Sequence, residues 1–384
     1  MTCVNVLKKK RLKIRDILAI SIAVLLAGCS SDDITAGGSL EGKDYDPVGT
    51  PVQFSVGLEG KATTRAVMAD GGHFVCTMYY KASEGSDYNI NAPGDGGTMQ
   101  TAWLQIYGSG NAKYMNYSFT AEATSLFWQN RWSHVFLALA DYNKLTTNIG
   151  ATSAGGSQGK LKMYPNHDTY HVEGNPYIYY YINTYDLTKG ERTSMAEQPD
   201  PILALATKTP VGDPSAEANR VTLNFEHQFA QIQVNVKDKT GNDPAITAEQ
   251  ITKVELRDVA TNGFVYSRIK ADGTVGNAIY YPSQKGNFDM FEMTSPADGC
   301  LKSFNAIAYG HLTSIRVTWN DGSSHTSTLS VNSDLAGGTK YVYNLEISRT
   351  AVAGTRGDIG NRSKASEQVY IKDVEITNWP VKFE

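Results

Sequence analysis

The chain has 384 residues, of which 41% are hydrophobic and 19% charged, with a formal net charge of -4. That is length and apolar content enough for two domains of ordinary size with real cores, and the slight acidity gives no case for nucleic acid or an anionic surface as a partner. Gly (35) and Tyr (22) are both plentiful, and few stretches show helical periodicity, which favours an all-β protein.

The N-terminus is basic from Lys8 to Arg15, then apolar from Ile17 to Ala27 apart from Ser21. A basic head, a short apolar body and small residues ahead of a cysteine make an export signal. The body is too short to span a bilayer, which takes ~20 residues. Leu26-Ala27-Gly28-Cys29 resembles a bacterial lipobox, which implies cleavage before Cys29 and a lipid on its sulfur. The other reading is a plain secretory signal. Ser30-Ser31-Asp32-Asp33 reads either as a surface-export signal like that of Bacteroidota lipoproteins or as the start of a solvated tether running to about Gly49.

Val52, Phe54, Val56 and Leu58 then alternate with polar or small residues, as in a strand with one buried face. Gly60 to Ala66 is small, polar and open, an accessible protease target. Cys76, Met78 and Tyr80 predict a strand, as do Trp103, Gln105 and Tyr107 against Leu104 and Ile106. The run Val135–Ala140 predicts a central strand. Thr146 to Lys160 predicts a loop. Pro176 to Tyr185 is aromatic and β-prone, and Pro201–Ala206 closes the region. Residues 207–220 carry two prolines and no apolar periodicity and read as the domain boundary.

Beyond it, Val221, Leu223, Phe225, His227 and Phe229 alternate on odd positions, and Ala230, Ile232, Val234 and Val236 on even ones. This predicts a β-bulge near Phe229. Asn262-Gly263 predicts a hairpin turn between Val254–Ala260 and Phe264–Ile269. Asp272-Gly273 predicts another turn, and Asp321-Gly322 one between Ile315–Trp319 and Thr326–Val331. Gly337-Gly338 introduces Tyr341, Tyr343, Leu345 and Ile347. Val369, Ile371, Val374, Ile376, Trp379, Val381 and Phe383 end the chain. The expected architecture is all-β, with two sandwich-like domains in series, 66–210 and 211–384, after a signal (1–28) and a tether with its first strand (29–65).

Chemistry is sparse. No phosphate loop, nucleophile elbow or metal-protease motif occurs, so neither catalysis nor a cofactor or metal is expected. His167 and His171 lie four apart, but Pro165, Asn166 and Gly174 argue against a helix, and they read as loop histidines. Tyr177, Tyr179 and Tyr181 would share one face of a strand. They could stack on sugars, but cross-strand packing is favoured. His227 reads as a satisfied core or edge histidine. Cys76 and Cys300 read as free thiols rather than a disulfide.

Cys29, the strand Val52–Leu58 with Thr63-Thr64-Arg65-Ala66 behind it, the run Val221–Val234, the segment Gly338–Leu345 and the terminal Val374–Trp379 occur in this order. The chain thereby resembles the fimbrillin family, the subunits of Bacteroidota type V fimbriae, over its whole length. The resemblance implies transthyretin-like domains, export as a cell-surface outer-membrane lipoprotein lipidated on Cys29, and cleavage between Arg65 and Ala66. It implies that the cut releases the first strand and that a neighbour's strand fills the groove. The donor candidates are Val374, Ile376, Trp379, Val381 and Phe383. The implied partners are other fimbrial subunits, with glycans or proteins of a host or bacterial surface beyond them. A carbohydrate-binding tip adhesin, or a surface lipoprotein that does not polymerise, is the alternative.

Overall fold

Alternating apolar side chains set the strands, and the strands fall into three sheets. The computed structural model describes residues 46–58, 72–86, 88–89, 100–107, 111–114, 125–141, 162–165, 177–182, 192–213, 217–241, 245–268, 279–320, 322–350 and 366–379. In chain order the strands are β1 Phe54–Leu58, β2 His73–Lys81, β3 Tyr88–Asn89, β4 Gln100–Tyr107, β5 Asn111–Tyr114, β6 His134–Asp141, β7 Lys162–Pro165, β8 Tyr177–Ile182, β9 Pro201–Lys208 and β10 Val221–His227. They continue as β11 Ala230–Asp238, β12 Ile251–Arg268, β13 Ile279–Asp289, β14 Phe291–Glu292, β15 Lys302–Ala308, β16 Gly310–Asn320, β17 Ser324–Leu335, β18 Thr339–Thr350 and β19 Ser366–Asn378. The chain is all-β; the helical segments among the described residues are single 3-10 turns at Met195–Glu197 and Ala248–Gln250.

The first sheet has the order β3-β2-β4-β5-β1-β10-β9-β6, and β6 also pairs with β2. Setting β3 aside, its strands therefore form a closed ring, flattened around one apolar core. Phe54, Phe74, Phe136 and Phe225 meet there, with Cys76, Leu104, Trp128 and Leu223. The run Val135–Ala140 is central, as its composition predicts: Phe136, Ala138 and Ala140 enter the core, while Val135, Leu137 and Leu139 on the opposite face are equally buried.

The second core lies between two sheets, which is the sandwich arrangement. One has the order β14-β15-β11-β18-β19 and the other β17-β16-β12-β8-β7, with β13 on the far side of β12. Ile232, Val234, Leu256, Phe304, Ile315, Trp319, Tyr343 and Leu345 fill it. The hairpin read from Asp321-Gly322 joins the expected strands, β16 pairing with β17 from Gly310↔Leu335 to Asn320↔Ser324; Asp321 itself lies outside the described residues.

Two local expectations are corrected. Asn262-Gly263 is no hairpin turn. β12 runs unbroken through it for 18 residues, and the ladder to β13 slips at Ala260/Asn262 and again at Asn262/Gly263. The dipeptide serves irregularities inside a long strand, which ask for the same permissive backbone as a turn. The Asp272-Gly273 turn lies outside the described residues. The parity flip at Phe229 is likewise no bulge. β10 belongs to the first sheet and β11 to the second, so the chain changes cores at Gln228 and Phe229, and odd positions face one core while even positions face the other. The connection through 209–220 joins β9 to β10, which are antiparallel neighbours in the first sheet. β8, although it precedes β9, pairs with β12 from Gly263↔Ile182 to Arg268↔Tyr177.

Candidate functional site

The strand ahead of Arg65 is a stave of the first sheet. β1 pairs with β10 in parallel from Phe54↔Val221 to Leu58↔Phe225 and with β5 antiparallel at Phe54↔Ala112 and Ser55↔Asn111. Val52, Phe54 and Val56 are 1%, 2% and 8% exposed. Phe54 meets Phe136 and Tyr114 edge to face, at centroid distances of 5.5 and 6.3 Å. Burial of three such side chains contributes about 5–9 kcal/mol, comparable with the whole net stability of a domain, ~5–15 kcal/mol. With β1 gone, the groove would be too costly to leave open.

The residues ahead of β1 are clamped by a second segment, Leu126 to Trp132. Gly49 N–H donates to the Trp128 carbonyl at 2.8 Å, Trp128 N–H to that of Thr50 at 3.1 Å, and Val52 N–H to that of Leu126 at 2.8 Å. The Tyr114 hydroxyl reaches the carbonyls of Val52 and Leu126 at 2.7 and 3.1 Å. At the outer end Arg131 lies 3.2 Å from Asp46, and its guanidinium holds the Asp46 carboxyl below the usual range. His134 shapes the clamp from within. Its ring is buried, one nitrogen 2.7 Å from the Trp132 carbonyl and the other accepting Gln129 N–H at 3.3 Å. Burial lowers its pKa to about 4, so the ring is neutral and Nδ1–H is the donor to Trp132. This clamp was not legible in the sequence, because a lone loop of aromatics carries no periodic signal.

The C-terminal strand is the last of its sheet. Among the described residues β19 pairs with β18 alone, from Thr350↔Ser366 to Thr339↔Asn378, with a register slip between Asn344 and Leu345. Val369 is buried and Ile371 packs on the second core, but past the slip Val374 and Ile376 are 43% and 64% exposed. Trp379 is half-buried and lies flat on His227, with centroids 3.8 Å apart and planes at 2°. His227 is itself buried against Asp200, with Nδ1 2.9 Å from the carboxyl oxygens. Asp200 was not found from sequence, since nothing local links it to His227.

Of the other residues singled out above, Cys29, Arg65, Ala66, His167, His171, Val381 and Phe383 lie outside the described residues, as do the side chains of Tyr177, Tyr179 and Tyr181. Cys76 and Cys300 are free thiols, and burial pushes both thiols up. Among the described residues no group of His, Cys, Asp and Glu could hold a metal ion, and no helix is long and apolar enough to cross a membrane.

The sequence matches a family described as fimbrillin-like over residues 64–379. None of the curated proteins matches it. Among solved structures it is similar to a candidate cell-adhesion protein from Bacteroides uniformis (15% identity, TM-score 0.45, covering 86% of this chain and 98% of that one). It is also similar to a fimbrial protein from Bacteroides vulgatus (15%, 0.42, 86% and 99%). A third is the tip fimbrial protein Mfa3 from Porphyromonas gingivalis (10%, 0.37, 85% and 99%).

Proposed function

The chain belongs to the fimbrillin-like family, and from that premise we propose that it is a structural subunit of a cell-surface fimbria whose copies join by exchanging a strand. One observation carries the reading. β1 is an interior stave of the first sheet, paired on both sides, yet it stands ahead of Arg65 in the chain and is severed from the rest by one cut there. The family match opens at residue 64 and so leaves β1 out.

In this reading Cys29 carries the lipid that brings the precursor to the outer membrane. Cleavage after Arg65 leaves Ala66 as the new N-terminus, and the segment holding Val52, Phe54 and Val56 departs with the lipid. The vacated groove wants apolar residues at every second position along an extended chain. Val374 and Ile376 have that spacing, and so do Trp379, Val381 and Phe383 after a step of three that changes the face; the first two are already exposed. We take the two apolar cores as two domains in series, with β1 part of the first.

N-terminal sequencing of the surface form tests the reading. The expected residue is Ala66, with ladders of polymer on unheated gels, and Arg65→Ala is expected to abolish both. A surface form that always begins at Cys29 and never polymerises would overturn it.

A further inference from the structure

Past the slip in β19, aliphatic burial contributes little to holding the strand, since Val374 and Ile376 are 43% and 64% exposed. Beside the ladder to β18 and the bonds of the Asn344 amide to Asp373 and Glu375, its end is held by Trp379, face to face with His227 at 3.8 Å and 2°. The imidazole beneath has one orientation, because Nδ1 faces both oxygens of Asp200 at 2.9 Å. Burial raises the Asp200 carboxyl, and His227 pulls it back.

The backbone around the stack is equally specified. Trp379 N–H donates to the Gly338 carbonyl at 2.7 Å, Gly338 N–H to that of Phe229 at 2.9 Å, and Gln228 N–H to that of Pro201 at 2.9 Å. Gln228 and Phe229 are the step between the two cores, so the end of the chain is pinned where the chain passes from one core to the other. Gly338 has φ +66, and a Cβ on Gly337 would stand 2.6 Å from the Gln228 oxygen. The Gly-Gly pair is therefore what lets the strand end approach the step so closely.

We infer that Asp200 and His227 form a socket for Trp379 that keeps the C-terminal strand in its own subunit until a neighbour takes it. The socket stands on the geometry; the purpose given to it rests on the strand-exchange reading. His227 is a positioning residue here, and unstacking of Trp379 is the first step in freeing the strand.

Hydrogen exchange on the full chain tests it, in the wild type, His227→Gln, Trp379→Ala and Trp379→Phe. Glutamine keeps a donor for Asp200 but removes the ring. His227→Gln and Trp379→Ala are expected to speed exchange of the amides of residues 373–379 roughly 3- to 10-fold, the worth of one aromatic pair. Strand β11 should stay unchanged, and Trp379→Phe should recover most of the protection. If His227→Gln fails to fold, Trp379→Ala still decides the matter, its side chain being half exposed. Exchange at 373–379 equal to wild type overturns the socket, whether or not fimbriae form. Assembly is read in His227→Gln alone, which leaves the donor residues intact, and it should be faster by a similar factor. Faster exchange with no polymer from any form would keep the socket and sink strand exchange.

Discussion

The Phe54 ring stands edge-on to Phe136 across the first core, with centroids 5.5 Å apart and planes at 82°. Through this contact β1 touches the central strand β6. Phe54→Ala should cost the uncut chain about 3–5 kcal/mol, the usual loss for a buried Phe. Urea unfolding with unchanged m-value would show it. A loss under ~1 kcal/mol would mean that β1 is not seated as described.

Gly337→Ala should destabilise without touching any apolar contact. Its Cβ would stand 2.6 Å from the Gln228 carbonyl oxygen, which is backbone at the step between the cores and cannot swing aside. The expected cost is about 1–3 kcal/mol, as for other overpacked sites. A thermal melt equal to wild type would contradict the close approach.

Acid should loosen the clamp through His134. Burial lowers its folded pKa to about 4 from an ordinary 6.5, so below pH 6.5 the unfolded chain takes up a proton that the folded chain refuses. Stability is therefore full above pH 6.5 and falls as pH drops toward 4, by about 3 kcal/mol in all. The protonated ring would also lose Nε2 as acceptor for Gln129 N–H. Unfolding free energies at pH 7 and pH 4.5 measure the slope, and in His134→Gln this contribution should vanish.

Val374→Ser with Ile376→Ser separates folding from assembly. Both side chains are largely exposed, so the monomer should lose less than about 1 kcal/mol. On the proposed strand exchange, polymer ladders should disappear, because a groove vacated by β1 would take apolar residues. Intact ladders would remove these two residues from the donor set.

Patterns that depend on one face of one strand were legible in the sequence. Val52, Phe54 and Val56 alternate and are buried together, and Val135–Ala140 is apolar throughout and buried on both faces. What failed were signals with two physical causes. Asn262-Gly263 suits a turn, but a slipped ladder asks for the same freedom, and only the partner strand β13 decides between them. The parity flip at Phe229 fits a bulge, but moving from one core to another produces the same flip. The Asp200–His227–Trp379 contact was hidden for a different reason. His227 announces its burial by phase with Leu223 and Phe225, but neither of its partners is near it in sequence, and each alone looks ordinary.

The place of β1 in the ring has a consequence for direction. It is antiparallel to β5 and parallel to β10, so these two flanking strands run opposite ways. Any strand laid between them is parallel to one wall and antiparallel to the other, whichever way it points. The hydrogen-bond ladder thus favours neither orientation. In the proposed strand exchange, the polarity of the polymer would be chosen by the side chains, by which face of the entering strand offers its apolar residues and where the aromatic at its end comes to rest.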